Sequence, residues 1–204
     1  MRIVFVALFL LAAPVCAFAQ SEGAVWISFS EFQEETALTI EGDEYTTAFD
    51  EDTGYGVSFT HYWMPQLATE FTVQTLGGTM STQEEDQLRV VNGEIDLTVW
   101  SGTAQWHFRP NLRFDPYVGA GGAFITGEFD PVDPVGDPAN PAFDLENELT
   151  WLANAGVTLW ITQSVAITGD VKYIAYDAVR DGAPDETKID VNPLVWSIGG
   201  RVRF

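Results

Sequence analysis

The sequence predicts an all-β fold: an eight-stranded antiparallel transmembrane β-barrel, connected as an up-and-down meander. Three observations predict it. Segments of side-chain period two recur along the chain. Tight links between them alternate with long acidic ones. Within each segment the apolar face carries aromatics, and the opposite face carries Ser, Thr and charged residues. Successive side chains of a strand point to opposite faces, so such a segment has one side suited to lipid and one suited to a polar interior. The segment at 191–204, VNPLVWSIGGRVRF, shows this most sharply. Leu194, Trp196, Ile198, Gly200, Val202 and Phe204 share one face, and Ser197, Gly199, Arg201 and Arg203 share the other.

Residues 1–19 are expected to be a signal peptide. Arg2 precedes an apolar stretch from Ile3 to Ala13, and Ala17-Phe18-Ala19 forms a small-x-small cleavage site. Cys16 allows a lipoprotein alternative, but Ala13-Pro14-Val15 is a poor context for acylation. With cleavage after Ala19, residues 20–204 form the barrel and contain no cysteine, so disulfide and thiolate chemistry are excluded. Beyond residue 20 no apolar run reaches the roughly 18–20 residues that a membrane helix needs. A closed barrel is then the remaining way to satisfy every backbone group in hydrocarbon. A soluble periplasmic sandwich or lipocalin-like barrel would share the period but place its charges outside.

The predicted strands run near 23–32, 53–63, 67–77, 95–108, 117–128, 149–161, 164–176 and 191–204. Met64-Pro65-Gln66, Thr162-Gln163 and Arg109 to Pro116 make the short links. The connections near 33–52, 78–94, 129–148 and 177–190 are long and rich in Asp, Glu, Gly and Pro. Short periplasmic turns, long outer loops and an even strand number are the outer-membrane pattern. The lipid face is read as Val25, Ile27 and Phe29, then Tyr55, Val57 and Phe59, and so on through Trp100, Ala104 and Trp106. Ser28, Ser30, Thr72, Gln74, Gln105 and His107 lie opposite. Trp63 and Trp106 beside the short turns, with Trp100, Trp151 and Trp196 toward the loops, suit two interfacial belts. By parity, Trp26 and Trp160 point inward.

Inside a narrow lumen an unpartnered charge would cost several kcal/mol. Glu70 and Asp170 are therefore candidates to pair with Lys172, Arg201 and Arg203. About nine residues up each strand, the inward position becomes apolar: Phe32, Leu76, Val99, Ile125, Leu152, Ile174 and Val195, with Gly54 and Gly56 as the exception. This ring reads either as a plug capping the core or as an entry pocket for a small apolar molecule, with the glycines leaving a gap.

The formal net charge of −21 is concentrated in the long connections, which disfavours nucleic acid as a partner. Solvation of the outer loops explains the charge, and divalent cations are the alternative. The prolines of DPVDPVGDPANPAFD break an EF-hand spacing, so no metal or other cofactor is assigned. Only His61 and His107 are available as imidazole bases, both near short turns, and no enzyme activity is expected. The expected partners are outer-membrane lipid and lipopolysaccharide, and the barrel assembly machinery through the carboxy-terminal strand.

HFRPNLRFDPYVGAGG at 107–122, WLANAGVTLWITQSVAITGDVKYIAYD at 151–177 and IDVNPLVWSIGGRVRF at 189–204 resemble the outer membrane protein W family. The PYVGAG segment and the Asp-x-Asn-Pro entry to the last strand carry most of the likeness. The resemblance implies an eight-stranded outer-membrane barrel with a hydrophobic channel, passage of small apolar solutes and, in some members, bacteriocin reception. A structural or adhesive surface barrel with a closed lumen is the alternative from another class.

Overall fold

The computed structural model of the chain describes residues 20–31, 36–40, 43–84, 90–110, 112–131, 143–178, 189–190 and 192–204. Eight long strands form the wall: β1 (Ser21–Glu31), β3 (Asp43–Met64), β4 (Leu67–Glu84), β5 (Val90–His107), β6 (Phe114–Pro131), β7 (Phe143–Trp160), β8 (Val165–Ile174) and β11 (Leu194–Arg203). The short β2 (Thr36–Ile40) pairs with the outer part of β3. β9 (Asp177–Ala178) pairs with β10 (Ile189–Asp190) above β8 and β11. Neighbours in the wall are antiparallel and follow chain order. β1 closes the cylinder by pairing with β3 on one side and β11 on the other. Within the span that β1 and β11 cover, closure leaves no strand edge, which a lipid environment requires.

The outer surface is that of a membrane barrel. Val25, Ile27, Phe29, Phe71, Val118, Ile167 and Ile198 are exposed at mid-height. Trp63, Trp106, Phe108 and Phe114 stand at the short-turn end, and Trp100, Trp151 and Trp196 at the other. On β6 the apolar exterior runs from Phe114 to Phe124. About ten residues at roughly 3.3 Å each, tilted near 40°, climb about 25 Å, the height of an outer-membrane apolar band. Trp26 and Trp160 are buried inside, as their parity predicts.

The structure differs from the sequence reading in the long connections. Much of what reads as loop is strand: residues 43–52 of β3, 78–84 of β4, 90–94 of β5, 129–131 of β6 and 143–148 of β7. Where side chains beyond the upper tryptophans are described, period two continues with the chemistry of the two faces exchanged, as suits a wall that has left the bilayer. Ile95 and Leu97 are buried while Glu94 and Asp96 face water. Phe129 is buried while Glu128 and Asp130 are exposed. A bulge lets β7 join this pattern. Ile125 pairs with Glu148 but Gly127 pairs with Leu145, so β7 carries one residue more than β6 across the step. Leu145 is buried and Glu146 exposed, the reverse of what uninterrupted alternation from Leu152 gives.

Two glycines explain how the polar half of the lumen is filled. A Cβ on Gly199 would meet Trp26 at 2.9 Å, and Gly199 and Gly56 are the register partners of Trp26 on its two neighbouring strands. The indole fills the space left at Gly199, whereas a Cβ on Gly56 would meet Gln74 Cβ at 2.8 Å.

Candidate functional site: the barrel lumen

The lumen has two courses, and register fixes which residues belong to each. In the upper course Leu76, Val99, Ile125, Leu152, Ile174 and Val195 are each at most 1% exposed and form one buried cluster. Phe32, the seventh residue of the predicted ring, lies outside the described residues. The cluster is larger than the ring. Ile95, Leu97, Ala123, Phe129, Leu145 and Tyr176 also belong to it. Ile95 and Leu97 share the inward parity of Val99 within the predicted strand 95–108. Leu145 is hidden from parity by the β7 bulge. Gly54 and Gly56 do not leave a gap. Both are buried, and a Cβ on Gly54 would collide with the Thr75 carbonyl, so this position admits no side chain.

Above β8, Tyr176 closes the cluster. Its backbone N–H donates to Asn192 Oδ1 at 3.2 Å, and the Asn192 N–H donates to the Tyr176 carbonyl at 3.1 Å. Asn192 adopts a left-handed φ of 33°, a conformation that asparagine tolerates better than most residues. Pro193 follows it, and β11 begins at Leu194.

The lower course is an ion-paired floor. Arg201 Nη2 meets Glu70 Oε2 at 2.8 Å, and Arg201 Nη1 meets Glu22 Oε2 at 3.1 Å, with all three side chains buried. The same Glu70 carboxylate accepts from Thr60 Oγ1 at 2.9 Å and Gln105 Nε2 at 3.1 Å. Lys172 pairs with Asp170 at 2.9 Å, and Asp170 Oδ2 also accepts from Tyr117 Oη and Asn154 Nδ2, each at 2.9 Å. Arg203 pairs with Glu22 at 2.8 Å rather than with Glu70 or Asp170, and its guanidinium lies 3.7 Å from the centre of the Trp160 ring. The sequence reading missed Glu22 because it began the first strand at 23. The parity of Ser28 and Ser30, carried back three steps, would have included it.

The two imidazoles occupy different places. His107 is fully buried. Its Nδ1 lies 2.8 Å from Asp115, its ring stacks on Tyr117 at 5.1 Å, and Tyr62 Oη lies 3.4 Å from Nε2. His61 lies at the rim, edge-on to Trp63 at 4.8 Å, with Ser21 Oγ at 3.2 Å from Nδ1.

A half-open cavity of about 900 Å³ lies at the β6–β7 bulge. Outward-facing Asp96, Thr98, Thr126 and Glu128 line it, and it reaches Leu97 and Leu145 of the apolar cluster. Among the described residues no group of three or more His, Cys, Asp or Glu side chains is placed to hold a metal ion. Most of the acidic stretches considered for divalent cations lie outside the described residues.

Comparison with known proteins gives one family and one architecture. The family model described as OmpW family matches residues 22–204. The barrel superposes on the outer membrane protein OprG from Pseudomonas aeruginosa with a TM-score of 0.70, at 16% identity over 91% of this chain and 95% of that one. It superposes on outer membrane protein AlkL, determined in lipid bilayers, with a TM-score of 0.62, at 20% identity over 95% of this chain and 94% of that one. The attachment invasion locus protein Ail of Yersinia pestis, in complex with a heparin analogue, gives 0.54 at 11% identity over 91% of this chain and 99% of that one. No curated protein matches the chain. At these identities the solved structures speak for the fold alone.

Proposed function

The chain belongs to the OmpW family of outer-membrane β-barrels, and from its lumen we propose that it is a narrow channel or binding pore for small hydrophobic molecules. The observation that carries this reading is the apolar cluster at the outer end of the lumen, set above a floor of ion pairs. An apolar solute coming from the cell surface gains by entering the cluster, at about 25 cal/mol for each Å² of apolar surface removed from water. It cannot continue downward without separating Arg201 from two carboxylates. The cavity at the β6–β7 bulge reaches Leu97 and Leu145 from outside the wall among Asp96, Glu128 and Glu146, so it opens beside the cluster at the headgroup and water level rather than into hydrocarbon. Surrounding lipid and lipopolysaccharide would receive the solute. The barrel assembly machinery, reading the carboxy-terminal strand, remains the expected insertion partner.

The test is uptake of an apolar solute by cells carrying the barrel. Leu152→Asp or Ile125→Asp places a carboxylate in the cluster and is expected to reduce uptake severalfold while the protein stays folded, as judged by its heat-dependent gel mobility. Unchanged uptake by folded variants overturns the pocket and leaves a plug.

A second reading is supported by the near-complete burial of the inward side chains in both courses: a structural or adhesive surface barrel. The exposed acids Glu94, Asp96, Glu128, Asp130 and Glu146 crowd its outer end. They oppose binding to a sulfated ligand such as the heparin analogue held by Ail, so an adhesive partner would have to be neutral or cationic. Solute flux in liposomes favours the channel, and a sealed lumen with cell adhesion favours this alternative. Neither reading includes catalysis. His107 is enclosed between Asp115, Tyr62 and Tyr117, where no lipid ester reaches it. Ester hydrolysis by the purified protein, abolished in His107→Ala, would overturn that.

A further inference from the structure

The apolar ring is not apolar all the way round. Gln74 is the register partner of Val99, and Lys172 is the register partner of Val195. Both polar side chains are buried to within 2% of complete enclosure. Among the described residues, neither amide atom of Gln74 has a hydrogen-bond partner, although each is shielded from solvent. A buried primary amide with its donor and its acceptor both unused is costly, by roughly 1–3 kcal/mol for each group, unless something occupies it. Its register partner on β3 is Gly56, which has no side chain to offer it a hydrogen bond, and the partner of Gly56 on β1 is Trp26, whose Nε1 donates to Ser58 instead.

We propose that the ring binds an amphiphile, an aliphatic chain ending in one uncharged hydroxyl, with the chain on Val99, Ile125, Leu152 and Ile174 and the hydroxyl on the Gln74 amide. This rests on the channel reading and names the solute class within it. A hydroxyl matches the site because it donates to Gln74 Oε1 and accepts from Gln74 Nε2. A carboxylate does not match. Each lumen cation among the described residues already faces a carboxylate, Lys172 that of Asp170, Arg201 those of Glu22 and Glu70, and Arg203 that of Glu22, so an added anion would have to compete with an acid already in place. A plain alkane fills the cluster but leaves the amide unsatisfied. An organic cation would meet the Lys172 ammonium beside Val195.

The experiment compares 1-decanol with n-decane. The first arm follows the side-chain amide resonance of Gln74 in the full barrel in lipid nanodiscs, with each compound added. The second measures uptake of labelled decanol and decane by cells expressing wild type or Gln74→Leu, against cells without the barrel. The expected result is a Gln74 shift with decanol and none with decane. Decanol should also gain over decane by roughly fivefold in wild type, the scale of one net hydrogen bond, and lose that gain in Gln74→Leu while decane uptake persists. If decane and decanol are taken up equally by wild type and the Gln74 resonance stays in place, the amphiphile proposal is wrong and the channel stands. If neither compound enters faster than in barrel-free cells, the channel reading fails. The resonance then decides alone: a decanol-specific shift keeps the binding site, and its absence removes it.

Discussion

Below the upper tryptophans, β5 turns Trp100, Ala104 and Trp106 outward and Ser101, Thr103, Gln105 and His107 inward; above them it turns Glu94 and Asp96 outward and Ile95 and Leu97 inward. The ladder continues unbroken through Val99, paired with Gln74 on one side and Ile125 on the other. One strand thus obeys two opposite rules within a few residues. The backbone is the same in both regions, and the medium outside the wall decides which face must be apolar. In hydrocarbon, water-like chemistry is forced inward, where it must satisfy itself. In water, the ordinary arrangement of an apolar core and a charged surface returns. The apolar ring sits where the two rules meet, and its polar break at Gln74 belongs to the lower one.

The comparison can be broken most forcefully in the floor. Arg201→Met leaves Glu22 and Glu70 buried with their shared cation gone, and is expected to cost about 3–5 kcal/mol of stability in urea unfolding from lipid vesicles. Adding Glu70→Leu should recover part of the loss, because one orphaned carboxylate is removed. No recovery would mean that Arg201 acts by packing on Trp26 and Tyr117 rather than by pairing. In the upper course the same assay should register a cavity rather than a charge. Leu97→Ala is expected to cost about 2–5 kcal/mol, with no dependence on a partner substitution. The smallest effects locate the boundary itself. Ala120→Arg, on the lipid face at mid-height of β6, should cost about 2–4 kcal/mol, whereas Thr98→Arg, one outward step above Trp100, should cost about 0–1 kcal/mol. Equal costs at the two positions would place the bilayer surface elsewhere.

The eight staves were legible in the sequence because period two with aromatic-rich outer faces runs through Val25, Tyr55, Phe71, Trp100 and Trp151. The floor was partly legible, since Glu70, Asp170, Lys172 and Arg201 share inward parity with serines and threonines. Which acid meets which base was not, because pairing depends on register between strands distant in sequence: Arg201 reaches Glu22 on the adjoining β1 and Glu70 on β4, two strands further round. The upper wall was misread for a physical reason. Acidic residues such as Glu94, Asp130 and Glu146 mark a loop when the strand is expected to be lipid-facing, and mark a strand exterior once the wall has left the bilayer. Leu145 could not be placed from alternation at all, because the β7 bulge resets it.

Glu22 stands on the first stave, and both guanidinium groups that it holds stand on the last. The seam between β1 and β11 is therefore clasped from the inside by electrostatics as well as by backbone pairing. An insertion intermediate lacking the final strand exposes two carboxylates to a half-built interior with no counter-charge, so partial closure gains little. Closing this seam sets the backbone ladder and the ion pairs together, so the finished cylinder is expected to resist unzipping at the junction of its first and last strands.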